Sequence, residues 1–295
     1  MLPPIWPPCM RITVHKLRKA LGSPGGYLDK IVGGKTGGRG RRLKAMIPDI
    51  RLRYAALEGA YTITDIGGVA IHAWPGPERE DLLHCYEVSV ESLVELKRLI
   101  TERQAEGIRD FCPYCGIGAP RQFDHYLPKE KFPEFSVHAH NLMPCCGTCN
   151  GKKSDLWLDA SGARIFLNFY IDSLPTAPML KPSIQWVVKN GKRVPVVTFD
   201  LVRPSRFPVV KFGLIESHFE KLALLSRYKN QAHTEFLILR DAAVAREART
   251  SIALKRFLSR FLQRREATLG PHNWRIALYR AIVMDDPFLR ECLKP

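Results

Sequence analysis

Two Cys-x-x-Cys pairs constrain the fold of this chain more than any other feature of its sequence. The first pair is Cys112 and Cys115, the second is Cys146 and Cys149, and 30 residues separate the two. Four thiolates with this spacing are a typical ligand set for a structural zinc ion, which binds sulfur in tetrahedral geometry. A segment this short cannot bury enough apolar surface to hold its own shape, so a bound metal would supply the missing stability. We therefore predict a zinc site that ties together the two ends of the intervening segment.

The positions of the other cysteines also favour metal binding over disulfide formation. Five of the eight cysteines lie between Cys112 and Cys149, whereas a secreted disulfide framework spreads its cysteines in pairs. The fifth of them, Cys145, is expected to be a buried thiol outside the metal site. The N-terminus lacks the continuous apolar region of a signal peptide, and no uncharged apolar run approaches the length of about 18 residues that a membrane span needs. These features predict a cytoplasmic protein without a membrane partner.

The positive charge of the chain is concentrated at its two ends. Of the net charge of +16, residues 1–60 carry +9, residues 203–295 carry +9, and the segment between them carries −2. A near-neutral centre between two cationic regions suits a protein that holds a polyanion, such as nucleic acid, while its centre does chemistry. The simpler alternative is that these charges only keep the protein in solution.

A glycine-rich basic stretch, Gly33–Lys44, carries much of the N-terminal charge. Its Gly-Lys-Thr element matches the end of a phosphate-binding loop, but that motif needs a glycine at position 29, where this chain has Asp29. We therefore reject a nucleotide-binding loop. The stretch is predicted to be a flexible cationic segment in which Arg39, Arg41 and Arg42 contact phosphates.

Three regions are expected along the chain. Residues 1–106 form a basic N-terminal region that ends in a helix, residues 107–172 form a core around the cysteine pairs, and residues 173–295 form a β-hairpin followed by basic helices. In the first region, the runs Tyr61–Thr64 and Val69–His72 predict strands. A helix is expected from an N-cap at Ser89 to a C-cap at Gly107, with Lys97 among its regularly spaced positions.

The last region contains the clearest hairpin of the sequence, over Ile184–Leu201 with Asn190-Gly191 at its turn. Pro195 places its second strand at a sheet edge. Helical spacing then predicts a helix over 214–225, a longer one over 236–261 and a last one over 274–283. On the longer helix the sequence predicts an apolar inward face and a basic outward face. The inward residues are Val244, Ala248, Ile252 and Phe257, and the outward ones are Arg246, Arg249, Lys255, Arg256 and Arg260.

The segment between the cysteine pairs carries residues that are typical of a hydrolytic site. Asp124-His125 lies in a short strand-like run, Asn141 follows, and Asn150 stands nine residues later, just before Lys153-Ser154-Asp155. This arrangement closely resembles the HNH endonucleases, in the variant whose last histidine is replaced by asparagine. The resemblance covers residues 111–155.

The resemblance implies a fold and a set of residue roles. The fold would be α+β, with a central ββα-metal core and a zinc-binding knuckle pair, flanked by a basic N-terminal region and a mostly α-helical C-terminal region. His125 would be the general base, and Asn141 would orient its imidazole through a hydrogen bond. Asp124 and Asn150 would hold Mg²⁺ or Mn²⁺. Lys152 and Lys153 would contact backbone phosphates.

Several alternatives remain open at this point. The substrate implied by the resemblance is DNA, but the residues themselves do not distinguish DNA from RNA. Small HNH proteins of this kind also occur as effectors beside ATPases in bacterial anti-phage systems, so the nuclease activity would then need a protein partner. A zinc ribbon that binds nucleic acid without cutting it is the third alternative.

Overall fold

The computed structural model of the protein describes residues 25–62, 65–104 and 109–293. The chain divides into two units between Ser173 and Leu174. Helices and short antiparallel sheets make up both units, so the fold class is α+β, as predicted. Among the described helices, none combines the length and the apolar character that a bilayer crossing requires.

The helices that precede the cysteine pairs share an apolar core. They are α1 (Leu28–Gly33), α2 (Gly37–Thr62), α3 (Gly76–Glu87) and α4 (Glu91–Glu102). Helix α1 packs on α2 and α4, and α2 packs on α3. The buried residues of α2 recur every three or four positions, which gives this long helix one apolar face. They are Gly40, Leu43, Met46, Ile50, Tyr54, Leu57 and Tyr61.

The glycine-rich basic stretch is folded, so the prediction of a flexible segment is wrong. Helix α2 begins at Gly37 within it. Lys35 is 6% exposed, and its ammonium donates hydrogen bonds to the carbonyls of His84 (3.2 Å) and Val88 (2.9 Å) at the end of α3. A Cβ atom at Gly40 would lie 2.2 Å from the Lys35 carbonyl oxygen, so a side chain has no room there. Lys35 therefore joins the start of α2 to the end of α3, and Gly40 allows the Lys35 carbonyl to approach α2 closely.

The strands predicted in the first region do not form. Tyr61 and Thr62 end α2, residues 63–64 lie outside the described part of the chain, and Val69–His72 pairs with no described strand. Tyr61 is buried, and its hydroxyl donates to the carbonyl of His140, so tertiary contacts extend the helix through a run with strand propensity.

The predicted helix before the first cysteine pair is confirmed as α4, with differences at its start. Its N-cap is Val90, one residue after the predicted Ser89, and no side chain caps it. Its buried residues are Leu93, Leu96 and Ile100. The predicted C-cap, Gly107, lies outside the described residues.

The cysteine-rich segment forms two antiparallel strands and a helix. Strand β1 (Gln122–His125) pairs with β2 (Leu142–Cys145), and helix α5 (Gly147–Lys153) follows β2. The apolar run 165–171 packs on these elements, as predicted. The Tyr126 hydroxyl donates to the Phe166 carbonyl, and the Tyr170 hydroxyl donates to the Leu142 carbonyl, both at 2.7 Å.

The second unit starts with the predicted hairpin. Strands β3 (Leu180–Lys189) and β4 (Lys192–Leu201) pair along their whole length. Asn190 and Gly191 have φ angles of 50° and 70°, the left-handed values that a two-residue type I′ turn requires.

Helices complete the second unit. They are α6 (Val209–Lys221), α7 (Leu224–Val244), α8 (Ser251–Leu269), α9 (Trp274–Val283) and α10 (Asp286–Cys292). The single helix predicted over 236–261 is wrong, because α7 ends at Val244 and the Thr250 side chain caps a new helix. The break between the helices also changes which residues face inward. Val244 and Ile252, which were predicted to face inward, are 51% and 72% exposed, while Leu254 and Leu258 are buried.

Candidate functional site

The two cysteine pairs meet in a buried cluster. The Sγ atoms of Cys112, Cys115, Cys146 and Cys149 all lie within 4.8 Å of one another. The Cys115 and Cys146 sulfurs are 3.8 Å apart. Tetrahedral zinc with Zn–S bonds of about 2.3 Å places its sulfurs about 3.8 Å from one another. Cys145 is buried on β2 outside the cluster, as predicted.

Backbone hydrogen bonds shape the first cysteine pair into a turn. The Cys112 amide donates to the Gly118 carbonyl and the Gly116 amide donates to the Cys112 carbonyl, both at 2.7 Å. The Ile117 amide donates to the Cys115 sulfur. The second pair lies at the start of α5, with Cys146 as its N-cap. The cluster thus joins the segment before β1 to the helix after β2.

The chemistry of the cluster also fits a metal ion. Burial raises the pKa of Cys112, so a thiolate there needs a compensating positive charge. Hydrogen bonds with the other thiols lower the pKa of Cys146, which favours charge on that sulfur. Four buried cysteines this close together can hold a metal such as zinc.

Asp124 lies at the centre of a buried polar network. It is 3% exposed, and its Oδ2 accepts a hydrogen bond from the Tyr114 hydroxyl (2.7 Å). Its Oδ1 accepts from the Lys153 ammonium (3.1 Å). Burial raises the pKa of the Asp124 carboxyl, while the charge of Lys153 and the Tyr114 hydrogen bond act in the opposite direction. Lys153 therefore balances the charge of this carboxylate.

Lys153 is not placed to contact a nucleic-acid phosphate, which corrects the sequence prediction. Its side chain is fully buried, and its ammonium donates to the His125 carbonyl (3.0 Å) as well as to Asp124. The neighbouring Lys152 is exposed. Asn150 and Lys153 are three residues apart on α5, so both lie on the side of the helix that faces β1.

His125 is held at the end of β1 by a ring contact and a backbone hydrogen bond. Its ring packs edge-on against Tyr86, with 4.3 Å between ring centroids. Its Nε2 lies 2.9 Å from the Ser136 carbonyl oxygen. A carbonyl oxygen only accepts hydrogen bonds, so Nε2 carries the proton and Nδ1 keeps its lone pair. Burial lowers the pKa of His125 to about 4, which leaves the imidazole neutral at pH 7.

Asn141 does not bond to the imidazole, in contrast to the sequence prediction. It is fully buried, its Oδ1 accepts from the Leu127 amide (2.7 Å), and its Nδ2 donates to the Leu127 carbonyl (3.0 Å) and the Phe135 carbonyl (3.1 Å). Asn141 therefore fixes the loop between β1 and β2. Because Ser136 follows Phe135 directly, this loop also positions the carbonyl that holds His125.

An open groove brings three of the predicted site residues together. It has a volume of about 890 Å³, and Asp124, His125 and Asn150 all line it. The amide nitrogen of Asn150 donates to Gln122 Oε1 (2.9 Å), which leaves its amide oxygen as the possible metal ligand.

Sequence reasoning missed other residues that shape this site. Tyr114 bonds to Asp124, and Tyr86 and Lys97 line the groove. One signal was present: Lys97 occupies a regularly spaced position of α4 among apolar residues, where a lysine is unusual. Tyr114 and Tyr86 gave no comparable signal.

Two of the three N-terminal arginines predicted to contact phosphates are bound within the protein. Arg39 Nε lies 2.8 Å from Asp81 Oδ1, and Arg42 Nε lies 2.6 Å from Asp81 Oδ2. The Asp81 carboxylate is 1% exposed, so these ion pairs join α2 to α3. Arg41 is exposed on α2.

Two curated proteins are similar in sequence to this chain. Protein ea31 of Escherichia phage lambda is 27% identical over 202 residues, which covers 61% of this chain and 63% of ea31. The Septu protein PtuB of Bacillus thuringiensis is 38% identical over 47 residues, which covers 14% of this chain and 18% of PtuB. The chain thus spans less than two thirds of the length of either relative. No protein-family model matches it, and neither does any solved structure.

Proposed function

We propose that this protein is a metal-dependent endonuclease of the HNH type that hydrolyses phosphodiester bonds of DNA. The observation that carries the proposal is the shared groove: a carboxylate, an imidazole and an amide, contributed by Asp124, His125 and Asn150, line one open surface. In this proposal β1, β2 and α5 form the ββα-metal core, and the four cysteines hold a structural zinc ion.

Asp124 and Asn150 are the proposed ligands of a hard divalent cation, Mg²⁺ or Mn²⁺. One carboxylate oxygen and one amide oxygen leave most coordination positions for water and for a substrate phosphate. Such a cation, when bound, would offset the charge on the scissile phosphate and on the departing 3′-oxygen. Lys153 and Tyr114 keep the Asp124 carboxylate in position.

His125 is the proposed general base. The neutral imidazole accepts a proton from the attacking water at Nδ1, because the Ser136 carbonyl holds the proton on Nε2. Asn141 positions this imidazole indirectly, through the loop that carries Ser136. Lys152, exposed beside the groove residue Gly151, is the proposed phosphate contact of α5. The expected products carry 5′-phosphate and 3′-hydroxyl ends.

Cleavage of supercoiled plasmid by wild type and by His125→Ala tests this function. Loss of a general base lowers the rate by about 10²–10⁴-fold, so the variant should be nearly inactive with either Mg²⁺ or Mn²⁺. A chelator should stop the wild-type reaction. His233→Ala removes an exposed histidine of α7 and serves as the matched control. Cleavage by His125→Ala at the wild-type rate would refute the proposal.

A second candidate function is an effector subunit of a bacterial anti-phage complex, with DNA binding of its own and nuclease activity that needs a partner such as an ATPase subunit. The short similarity to the Septu protein PtuB favours it. Plasmid cleavage by the purified chain alone would exclude the need for a partner. RNA of the same sequence belongs in the same assay, because the groove residues do not distinguish the two substrates.

A further inference from the structure

Lys97 is a basic residue of α4 that lines the candidate nuclease groove but lies outside the cysteine-rich segment. Its ammonium lies over the Tyr86 ring, 4.1 Å from the ring centroid, and 6.0 Å from the centroid of Phe123. Tyr86 in turn packs on the imidazole of His125. The positive charge of Lys97 and the proposed general base therefore contact the same aromatic ring.

The charge of Lys97 has no carboxylate partner among the residues that the structure describes. Partial burial lowers the pKa of Lys97, and no described acidic group acts against this effect. A half-buried ammonium that is held only by aromatic rings retains hydrogen-bond donors for an anion. The residue thus differs from an ordinary surface lysine, which is fully hydrated.

Lys129 is the other lysine that lines the groove, and both it and the buried Lys153 are already paired. Lys129 lies 3.0 Å from a Glu87 carboxylate oxygen and 3.1 Å from one of Glu130. Lys153 is buried against Asp124. Arg121 also lines the groove, but it is exposed at the surface. Lys97 is therefore the best-placed described cation for a phosphate that enters beside His125.

We propose that Lys97 binds a backbone phosphate of the nucleic acid in this groove, and so places the phosphodiester next to His125. This inference rests on the proposed function for the identity of the reaction. The phosphate site itself can be tested by binding alone. Lys97 belongs to α4, which lies outside the segment that resembles HNH endonucleases.

Binding is measured in the His125→Ala background, which keeps the nucleic acid intact, with fluorescently labelled duplex DNA and RNA of the same sequence over a range of salt concentrations. Lys97→Met keeps the length of the side chain and removes the charge. It should weaken binding about tenfold, as expected for loss of a charged hydrogen bond. It should also reduce the slope of log K against log salt by about 1. Lys97→Arg should bind close to the parent protein.

Lys30→Met is the matched control. The Lys30 ammonium also lies over a tyrosine ring, 4.6 Å from the centroid of Tyr27, but on α1 and outside the groove. Its loss should leave affinity and slope unchanged. If Lys97→Met and Lys30→Met lose affinity equally, net charge explains the effect and the proposal is overturned. Unchanged binding in Lys97→Met would also overturn it. Loss of binding in Lys97→Arg would assign the effect to packing and overturn it too.

The outcomes separate this proposal from the nuclease proposal. If wild type cuts plasmid and Lys97→Met binds normally, the phosphate site is wrong and the nuclease function stands. If wild type cuts nothing while Lys97→Met alone weakens binding, the phosphate site stands and the purified chain has no nuclease activity of its own. Absence of DNA and RNA binding by the parent protein would overturn the phosphate site.

Discussion

Asp124 and Lys153 form an ion pair that lies almost entirely inside the protein, with side-chain exposures of 3% and 0%. Removing two charges from water is costly, and the pair recovers this cost only through close geometry and further hydrogen bonds. Tyr114 and the His125 carbonyl supply those bonds. The Asp124 side chain is therefore fixed by the protein itself, before any cation binds.

Lys153→Met should strongly destabilise the protein, because it leaves the Asp124 carboxylate buried without a partner. Breaking a buried pair in this way costs about 3–5 kcal/mol. Urea unfolding in buffer without Mg²⁺ measures this free energy. Combining Lys153→Met with Asp124→Asn should recover part of the loss, because a neutral amide leaves no unpaired charge. Lys152→Met, at the exposed neighbouring position, is the control and should change stability by no more than about 0.5 kcal/mol. Equal stability of Lys152→Met and Lys153→Met would contradict the role of the pair.

These residues also mark the limit of what the sequence predicts about the site. Asp124, His125 and Asn150 were identified from the resemblance to HNH endonucleases, and all three line one groove. The direction of the Lys153 side chain was not identified, because it depends on how α5 is rotated against β1. The predicted partner of Asn141 was wrong for a similar reason. Its observed partners are backbone groups of a loop, and no spacing rule predicts the path of that loop.

At the scale of elements, the cysteine cluster connects the start of β1 to the start of α5. Both elements are short, four and seven residues, and neither is stable alone. The geometry of the groove therefore depends on the cluster, since Asp124 and His125 lie on β1 and Asn150 lies on α5.

Cys149→Ser should abolish zinc binding and lower the melting temperature, because three thiolates and a hydroxyl are a much poorer ligand set. Metal content by mass spectrometry and thermal unfolding measure the two effects. Each kcal/mol of unfolding free energy that is lost lowers the melting temperature by about 2–4 °C in a unit of about 150–250 residues. Cys145→Ala is the control, since Cys145 is buried next to the cluster without belonging to it. An unchanged zinc content in Cys149→Ser would contradict the metal site.

The prediction of a helix or strand was correct where interactions between neighbouring residues determine it, and wrong where contacts between distant residues do. The hairpin was predicted because Asn190-Gly191 determines its turn locally. The predicted strand at Tyr61 was wrong because the contact of its hydroxyl with His140, 79 residues away, favours the helix. The long C-terminal helix was wrong because Glu247 adopts a left-handed φ of 52° and Thr250 starts a new helix. Helical spacing alone does not detect such an interruption.

At the scale of the whole molecule, the positive charge of the C-terminal region is concentrated on α8 and the residues just before it. Seven basic residues lie between Arg246 and Arg265, against one acidic residue, Glu247. Arg256, Arg260 and Arg264 are exposed on α8 at intervals of four residues, while Leu254 and Leu258 face the core. Residues four apart on a helix rise by about 6 Å and follow one stripe along its surface. We expect this stripe to contact the phosphates of bound nucleic acid without reading its sequence.

Replacing these three arginines by glutamine should weaken DNA binding to the same degree for unrelated sequences. Each phosphate contact contributes about 0.9 to the slope of log K against log salt, so the slope should fall by about 3. Anisotropy titrations of the His125→Ala background from low to moderate salt measure both quantities. Glutamine at Lys181, Lys189 and Lys192, which are exposed on the hairpin of the same unit, removes the same charge elsewhere. If both triple variants lose affinity equally, net charge explains the binding and α8 is not a specific contact surface. If only the α8 variant loses affinity, α8 is a contact surface for nucleic acid in addition to the groove.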